Sequence, residues 1–270
     1  MTPAETVQII SLPDTNQEAS TVFSLEGQLA LITGGGTGLG FAIARSMVSA
    51  GARVVITGRR EQPLRDAVAE LGDKGHYMVN DVAERASLKE LVSSIEATHG
   101  PIDILVNNAG INMKKPAVDV SDEDFDRIVH TNLNSVFSLT RICASRMLER
   151  QRGSIIMISS MAAYYGLDRV VAYAASKSAV EGMVKVLASE FSGKGVRVNA
   201  IAPGFIETPM TQTAMGGDPS RFARVISRTP MQKFGRPQDI GWAAVFLASE
   251  ASRYVTGVSL PIDGGNSIGF

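Results

Sequence analysis

Three side chains that can exchange or orient protons lie near one another in the second half of the chain. Tyr173 follows Ser160 by thirteen residues, and Lys177 follows Tyr173 by four. A helix beginning near Val171 would place the phenol and the ammonium on one face, with Cβ atoms roughly 5–6 Å apart. Free tyrosine titrates near pH ~10, and a neighbouring positive charge lowers that pKa. The spacing indicates a proton-transferring tyrosine, against the alternative of a surface tyrosine beside a solvated lysine.

Short apolar runs alternate with longer helical stretches from Phe23 onward, and this alternation is typical of βαβ units. We therefore expect an α/β fold with a parallel seven-stranded sheet, helices on both faces and right-handed crossovers. The predicted strands are Leu29–Thr33, Arg53–Thr57, His76–Asn80, Ile102–Asn107, Ser154–Ser159, Val196–Ala202 and Val258–Ile262. The predicted helices lie near residues 39–50, 61–71, 83–99, 121–150, 171–192 and 237–249.

The size and composition of the chain fit one catalytic domain. A chain of 270 residues with 44% hydrophobic content can bury a single large core, which we place in residues 23–270. Residues 1–22 are rich in Thr, Ser, Gln, Glu and Pro, and we expect a flexible extension there. The long connection from Pro203 to about Pro219 is typical of a lid over a ligand, with a disordered insert as the alternative.

Several classes of partner are disfavoured by charge and residue usage. A net charge of −1 gives no footprint for nucleic acid or for an anionic membrane. The first basic residue is Arg45 and no apolar run approaches the ~20 residues of a membrane span, so we expect a cytoplasmic protein. The lone Cys143 cannot form an internal disulfide, and the three scattered histidines do not have metal-ligand spacing.

A glycine-rich turn lies between the first predicted strand and a helix. It reads Thr33-Gly34-Gly35-Gly36-Thr37-Gly38-Leu39-Gly40. Glycines at positions 34, 38 and 40 permit a tight turn and let backbone N–H groups approach a pyrophosphate at the helix N-terminus. A purely structural turn is the alternative. The absence of a Gly-Lys-Ser/Thr ending excludes the phosphate-binding loop of nucleotide hydrolases.

The second predicted strand ends without an acidic residue. Thr57 and Gly58 offer no carboxylate for a ribose 2′-hydroxyl, and Arg59 follows at once. A 2′-phosphate would suit Arg59, so NADP(H) is favoured and NAD(H) is the alternative; both Arg59 and Arg60 could instead be solvated. After the third strand, Asp81 could accept a hydrogen bond from an adenine amino group.

Further motifs follow along the chain: Asn107-Asn108-Ala109-Gly110, Asn132, Tyr173-x-x-x-Lys177 and Pro203-Gly204. Their order and spacing, together with the glycine-rich turn and Ser160, match those of a known enzyme family. From about residue 24 to residue 270 the chain resembles the single-domain short-chain dehydrogenase/reductase family, which implies a Rossmann-like, doubly wound sheet. The resemblance makes Tyr173 the general acid/base, Ser160 a hydrogen-bond donor to the substrate oxygen, and Lys177 the residue that lowers the tyrosine pKa and binds the ribose. It gives Asn132 the role of positioning a water.

The same resemblance implies a set of cofactor-binding residues. They are Thr33, Gly34, Gly38, Leu39, Gly40, Arg59, Asp81, Val82, Asn108, Ala109, Gly110, Tyr173, Lys177, Pro203, Gly204, Ile206 and Thr208. One departure concerns Thr37, because many NADP-using relatives carry a basic residue there. Three neighbours are set aside: Ser159 would point to the other face of its strand, His130 is interpreted as a packing residue, and Asn134 as a polar helix residue.

The resemblance is closest to gluconate 5-dehydrogenases and related sugar-acid oxidoreductases, a likeness shared with 3-oxoacyl-carrier-protein reductases and polyol dehydrogenases. Lys114, Met161 and Tyr165 are the candidate substrate residues; Lys114 could reach a carboxylate, although a solvated surface lysine is the alternative. The resemblance also implies a homotetramer, or a dimer. A nucleotide-sensing scaffold protein is the non-enzyme alternative, disfavoured because all four catalytic residues are present.

Overall fold

One parallel sheet of seven strands forms the centre of the part of the chain that the computed structural model describes, which is residues 19–208, 211 and 219–269. The strands are β1 (Leu29–Thr33), β2 (Arg53–Gly58), β3 (Gly75–Val79), β4 (Ile104–Asn107), β5 (Gly153–Ile158), β6 (Val196–Pro203) and β7 (Ser259–Ile262). Their order is β3-β2-β1-β4-β5-β6-β7, and every neighbouring pair is parallel. The expected fold class is confirmed, with strand ends shifted by at most two residues.

Helices cover both faces of this sheet. They are α1 (Ala19–Val22), α2 (Gly38–Ser49), α3 (Glu61–Leu71), α4 (Leu88–His99), α5 (Asp122–Val129), α6 (Ser135–Glu149), α7 (Val171–Phe191), α8 (Pro219–Arg228) and α9 (Pro237–Ala248). Alternate residues of β1 serve the two faces: Ile32 packs with α2, α3 and α9, whereas Leu31 packs with α4, α6 and α7. Because both faces are covered, all five residues of β1 are buried and read as one apolar run.

The helix predicted over residues 121–150 is not continuous. A π-helical turn, His130–Asn134, separates α5 from α6 and turns the Asn132 side chain into the interior. A π turn inserts one extra residue into the helical repeat, and such turns are frequent at functional sites. The apolar periodicity on either side survives this insertion, so the sequence pattern alone predicts one long helix.

Three other expectations differ from the structure or fall outside it. The helix expected near residues 83–99 begins at Leu88, after a short 3-10 turn over Arg85–Ser87. Helix α8 was not predicted at all, although Phe222, Val225 and Ile226 have helical spacing within its ten residues. Most of the expected N-terminal extension (residues 1–18) and of the expected lid (residues 209, 210 and 212–218) lies outside the described residues.

The sheet topology places the predicted motifs at one edge. Strand β1 pairs with β2 on one side and with β4 on the other, so the order of the chain reverses between β1 and β4. In parallel sheets this switch point opens a crevice at the carboxyl ends of the strands. The glycine turn, Arg59, the Asn107–Gly110 turn and Ser160 all follow strands that end at this edge.

Candidate active site

A cleft of about 370 Å³ opens at the carboxyl edge of the sheet, over the β1/β4 switch point. Many of the predicted cofactor-binding residues line it. They are Gly34, Gly38, Leu39, Arg59, Asp81, Val82, Asn108, Ala109, Gly110, Tyr173, Lys177 and Thr208. The cleft therefore runs from the glycine turn to the predicted catalytic tyrosine and lysine, as an extended dinucleotide would require.

The glycine turn has the geometry of an anion cradle. Gly34 and Gly38 have positive φ angles of 66° and 58°. A Cβ on Gly40 would lie 2.3 Å from the Gly34 carbonyl oxygen, so only glycine allows the helix to pack this closely on the turn. Thr37 precedes α2 and makes no side-chain capping bond, which leaves the first N–H groups of the helix for a phosphate. This donor set fits a pyrophosphate.

Thr33 lies behind the residues that line the cleft and holds the turn after β4 in place. Its Oγ1 accepts hydrogen bonds from the backbone N–H groups of Asn108 (3.1 Å) and Ala109 (3.0 Å), and the Asn108 amide donates to the Thr33 carbonyl at 2.8 Å. These bonds fasten the turn after β4 to the end of β1. Thr33 is not part of the described lining, and neither are Gly40, Pro203, Gly204 and Ile206.

Arg59 stands at the mouth of the cleft. Its Nη1 atom lies 3.8 Å from the Asp81 carboxylate, and two thirds of the Arg59 side chain is exposed. An exposed ion pair of this kind contributes little, so the guanidinium can turn to a phosphate at small cost. Thr57 is fully buried, and it is Gly58 that lines the cleft at the end of β2.

Several lining residues were not predicted from the sequence. They are Gly36, Thr37, Gly58, Arg60, Pro63, Leu64, Asn80, Ala83, Ile111, Thr131 and Ile158. Asn80 is the most informative, because its Oδ1 is buried and has no partner among the described atoms, whereas its Nδ2 donates to Ser87 at 2.8 Å. A buried acceptor without a donor suits an amino group of a ligand. Its position directly before Asp81, at the end of a predicted strand, could have identified it as a lining residue from the sequence.

Lys177 and Tyr173 lie at the inner end of the cleft. Lys177 is buried, with 5% of its surface exposed, and its Nζ donates to the Ile158 carbonyl oxygen at 2.6 Å. Burial lowers the pKa of this lysine to about 8. The Nζ atom lies 5.6 Å from the centre of the Tyr173 ring, which places the cation and the phenol side by side as the i,i+4 spacing predicts.

The pKa of Tyr173 differs from the sequence-based expectation. Burial raises this pKa above its ordinary value, and a hydrogen bond with Ser160 offsets only part of that effect. The sequence predicted a lowered tyrosine pKa beside Lys177, whereas the pKa of Tyr173 in this structure is raised. The physical reason is that packing against the protein disfavours the charged form of each group, the phenolate of the half-buried Tyr173 and the ammonium of the buried Lys177.

Ser160 is positioned by the turn that follows β5. It precedes the 3-10 turn Met161–Ala163, and its Oγ accepts a hydrogen bond from the Ala162 N–H at 3.1 Å. The adjacent Ser159 points elsewhere, as predicted, because its hydroxyl donates to the Glu181 carboxylate at 2.7 Å. The second serine of the pair, Ser160, is the one that hydrogen-bonds Tyr173.

Asn132 anchors the loop after β4. Its Oδ1 accepts from the Ile111 N–H at 2.8 Å, and its Nδ2 donates to the Ile111 carbonyl at 2.8 Å and to the Ser176 hydroxyl at 3.3 Å. Both Nδ2 hydrogens thus have protein partners, so only Oδ1 or the backbone of Asn132 could hold the predicted water. A Cβ on Gly110 would approach Asn132 Oδ1 to 3.2 Å and Lys177 Nζ to 3.8 Å.

The remaining predicted residues are placed as follows. The His130 Nε2 atom is bonded to the Ala83 carbonyl at 2.9 Å, in agreement with a structural role. Met161 is buried, and Lys114 is half-buried in the loop that leads to α5. The Tyr165 hydroxyl hydrogen-bonds the side chain of Asn266. Tyr165 therefore contacts the C-terminal segment.

The described residues offer neither a metal site nor a membrane-spanning helix. No group of three or more His, Cys, Asp or Glu side chains within the described ranges could hold a metal ion. None of the helices in that part of the chain has the length and apolar character needed to cross a membrane.

Known proteins are similar to this chain over most of its length. The family model described as enoyl-(acyl carrier protein) reductase matches residues 34–267. The 2-dehydro-3-deoxy-D-gluconate 5-dehydrogenase of Pseudoalteromonas atlantica is 40% identical over 247 residues, which cover 90% of this chain and 97% of the relative. The 3-oxoacyl-(acyl-carrier-protein) reductase FabG of Thermotoga maritima is 39% identical over 246 residues, covering 89% and 98%.

A solved structure extends the likeness to three dimensions. The gluconate 5-dehydrogenase from Burkholderia cenocepacia, in complex with NADP and tartrate, has a TM-score of 0.89 and 35% identity, and the match covers 94% of this chain and all of that one. With the cleft, the glycine turn and the Ser160, Tyr173 and Lys177 cluster in place, these matches give the identity of the family. The chain belongs to the short-chain dehydrogenase/reductase family, and it is an NAD(P)-dependent oxidoreductase that acts on CH–OH groups.

Proposed function

We propose that this enzyme uses NADP(H) to interconvert a secondary alcohol and a ketone on a sugar acid, with Tyr173 as the proton donor and acceptor. The observation that carries the proposal is the hydrogen-bonded pair of Tyr173 and Ser160 beside the buried Lys177, at the inner end of the cleft. The nicotinamide supplies or accepts the hydride when bound. The protein contributes binding, orientation and the movement of one proton.

Each catalytic side chain has a role that its environment supports. The raised pKa of Tyr173 keeps the phenol protonated at neutral pH, so it can donate to a carbonyl oxygen during reduction. The Ser160 hydroxyl donates a hydrogen bond to that oxygen and stabilises its developing charge. With a pKa of about 8, Lys177 is still mostly protonated at neutrality and can stabilise the phenolate that forms.

The preference for NADP(H) rests on the mouth of the cleft. Arg59 is exposed, its contact with Asp81 is 3.8 Å long, and the end of β2 has no carboxylate to meet a ribose 2′-hydroxyl. A carboxylate at this point would repel a 2′-phosphate, whereas a guanidinium binds it through charge-assisted hydrogen bonds.

The sugar-acid assignment is supported by relatives that act on such compounds, but one relative of similar identity is a 3-oxoacyl-carrier-protein reductase. The alternative functions are reduction of 3-oxoacyl thioesters and oxidation of polyols. A panel of sugar acids, matched polyols and 3-oxoacyl thioesters, followed through the absorbance of the reduced nicotinamide, separates them. We expect kcat/KM to be highest for a sugar acid; a higher value for a thioester would replace this assignment.

Assembly and location follow the same proposal. The helical region 121–150, which contains α5 and α6, and helix α7 would pair across a two-fold axis. Strand β7 with α9 would form a second interface, which gives a tetramer with dihedral symmetry. Trp242 on α9 is 53% exposed in the isolated chain, as an interface residue would be. Light scattering at micromolar concentration should give the tetramer mass, and a monomer would contradict it. We place the enzyme in the cytoplasm.

A further inference from the structure

An arginine outside the described cleft is held in place by two neighbours. The Arg228 guanidinium carbon lies 4.1 Å from the centre of the Tyr165 ring, and the Arg228 Nε donates to the Asn266 carbonyl oxygen at 3.1 Å. Asn266 is fully buried, and its side chain bonds both the Tyr165 hydroxyl and the Thr229 hydroxyl, the latter at 2.9 Å. The guanidinium plane is thus fixed before any ligand arrives.

This half-buried cation has no carboxylate partner among the residues that the structure describes. The nearby Asp263 forms no ion pair with Arg228, and its two oxygens accept from the backbone N–H groups of Gly265 (2.9 Å) and Ser267 (2.6 Å). A charge that is partly removed from water is stabilised by an opposite charge placed beside it. A positioned, unpaired guanidinium therefore indicates an anion that comes from outside this part of the chain.

The fold places Arg228 on the substrate side of the site. Tyr165 belongs to the segment after β5, which also carries Ser160; Arg228 ends α8 in the connection after β6; and Asn266 follows β7. All three segments leave the carboxyl edge of neighbouring parallel strands. The cofactor cleft begins at the glycine turn after β1 and reaches this side only with its inner end, at Ile158, Tyr173 and Thr208. An anion at Arg228 would therefore belong to the substrate.

We propose that Arg228 binds the carboxylate of the substrate, with Tyr165 and Asn266 holding its guanidinium. The inference rests on the proposed sugar-acid function and names the residue that selects the acid. A planar guanidinium can bind a carboxylate through two parallel hydrogen bonds, which a flexible lysine cannot do. Lys114, the candidate from the sequence, is a single ammonium on a flexible stem, and the adjacent Lys115 is paired with Asp124 at 3.1 Å.

The experiment compares a charged and an uncharged ligand of the same carbon skeleton. Arg228→Met removes the charge, and Arg228→Lys keeps the charge but not the two parallel N–H donors of the guanidinium. Arg224→Met is the control. Arg224 lies one turn earlier on α8, is exposed, and its guanidinium donates to the Ser220 hydroxyl at 3.3 Å. KM for the acid and for its polyol are measured with the full-length enzyme and saturating NADP(H).

We expect Arg228→Met to raise KM for D-gluconate about tenfold to a hundredfold, the scale of hydrogen bonds to a charged group, and to change KM for D-glucitol less than about threefold. Arg228→Lys should fall between, and Arg224→Met should match wild type. Equal effects of Arg228→Met on both ligands would overturn the inference and leave Arg228 a structural residue, because a disturbed fold does not distinguish charge.

Failure of the proposed function gives a different result. If wild type turns over no sugar acid, inhibition by D-gluconate and by D-glucitol is measured against whichever substrate it does use. A selective loss of D-gluconate inhibition in Arg228→Met would keep the anion site while removing the sugar-acid reaction. If Arg228→Met loses inhibition by neither ligand, or by both equally, Arg228 is not an anion-binding residue.

Discussion

The Nζ atom of Lys177 donates a hydrogen bond to the carbonyl oxygen of Ile158 at 2.6 Å. Ile158 is the last residue of β5, so this bond fastens α7 to the strand that ends just before Ser160. A second bond lies one helical turn further on, where Glu181 accepts from the Ser159 hydroxyl at 2.7 Å. The distance between Tyr173 and Ser160 is therefore set by two contacts between the same helix and the same strand end.

The second contact allows a controlled test, because Glu181 Oε1 accepts from two serines. Ser159 lies beside the catalytic serine, and Ser259 donates at 2.8 Å from the start of β7. Ser159→Ala and Ser259→Ala should each lower the free energy of unfolding by about 0.5–1.5 kcal/mol, the net value of one hydrogen bond. Only Ser159→Ala should also lower kcat, by about tenfold, because it frees the strand end that holds Ser160. Equal kcat values in the two variants would separate this bond from catalysis.

Burial of Lys177 predicts a pH-dependent stability. Its pKa of about 8 in the folded chain lies below the ordinary value of 10.5, so the unfolded chain binds more protons between these two values. The free energy of unfolding should therefore rise with pH across this interval, by about 3 kcal/mol at 1.36 kcal/mol per pKa unit. The raised pKa of Tyr173 acts in the opposite direction, and only above the ordinary tyrosine value near pH 10.

The measurement is denaturant unfolding of wild type and of Lys177→Met at pH 7 and about pH 9.5. Wild type should gain stability relative to the variant as the pH rises, since methionine fills the same space without titrating. A constant difference between the two proteins would mean that the lysine is not held in a water-poor environment.

How much of this site can be predicted from the sequence depends on whether a feature is local. The strand-turn-helix around Gly34–Gly40 and the Tyr173, Lys177 pair follow from spacing along one segment, and the structure brings them to one cleft. The bonds of the Asn132 side chain to Ile111 and Ser176, and the contact of Arg228 with Tyr165, depend on segments far apart in the chain. Neither leaves a periodic signal.

The sign of the tyrosine pKa shift was missed for a related reason. Sequence spacing identifies the cation at Lys177, but the depth of burial is a property of the packed sheet and helices. Burial is the main cause of both shifts: it raises the pKa of Tyr173 and lowers the pKa of Lys177.

Arg59 should select the phosphorylated cofactor. Arg59→Ala should weaken NADPH binding by about 1.5–3 kcal/mol, the value of hydrogen bonds to a charged group, and affect NADH far less. Arg65→Ala is the matched control, because Arg65 is paired with Glu61 at 2.7 Å on α3 and lies outside the cleft lining. Fluorescence titration of both cofactors checks this. Equal losses for NADPH and NADH would argue against a 2′-phosphate contact.

The central claim is that Tyr173 transfers the proton, and Tyr173→Phe tests it most directly. The variant removes one oxygen atom and keeps the ring beside Lys177. Tyr164→Phe is the control, because that hydroxyl bonds the Ser259 carbonyl at 3.2 Å, away from Ser160. We expect Tyr173→Phe to lose roughly 10²–10⁴-fold or more in kcat, with the cofactor dissociation constant within about threefold of wild type, while Tyr164→Phe stays active. Turnover by Tyr173→Phe within a few-fold of wild type would contradict the account.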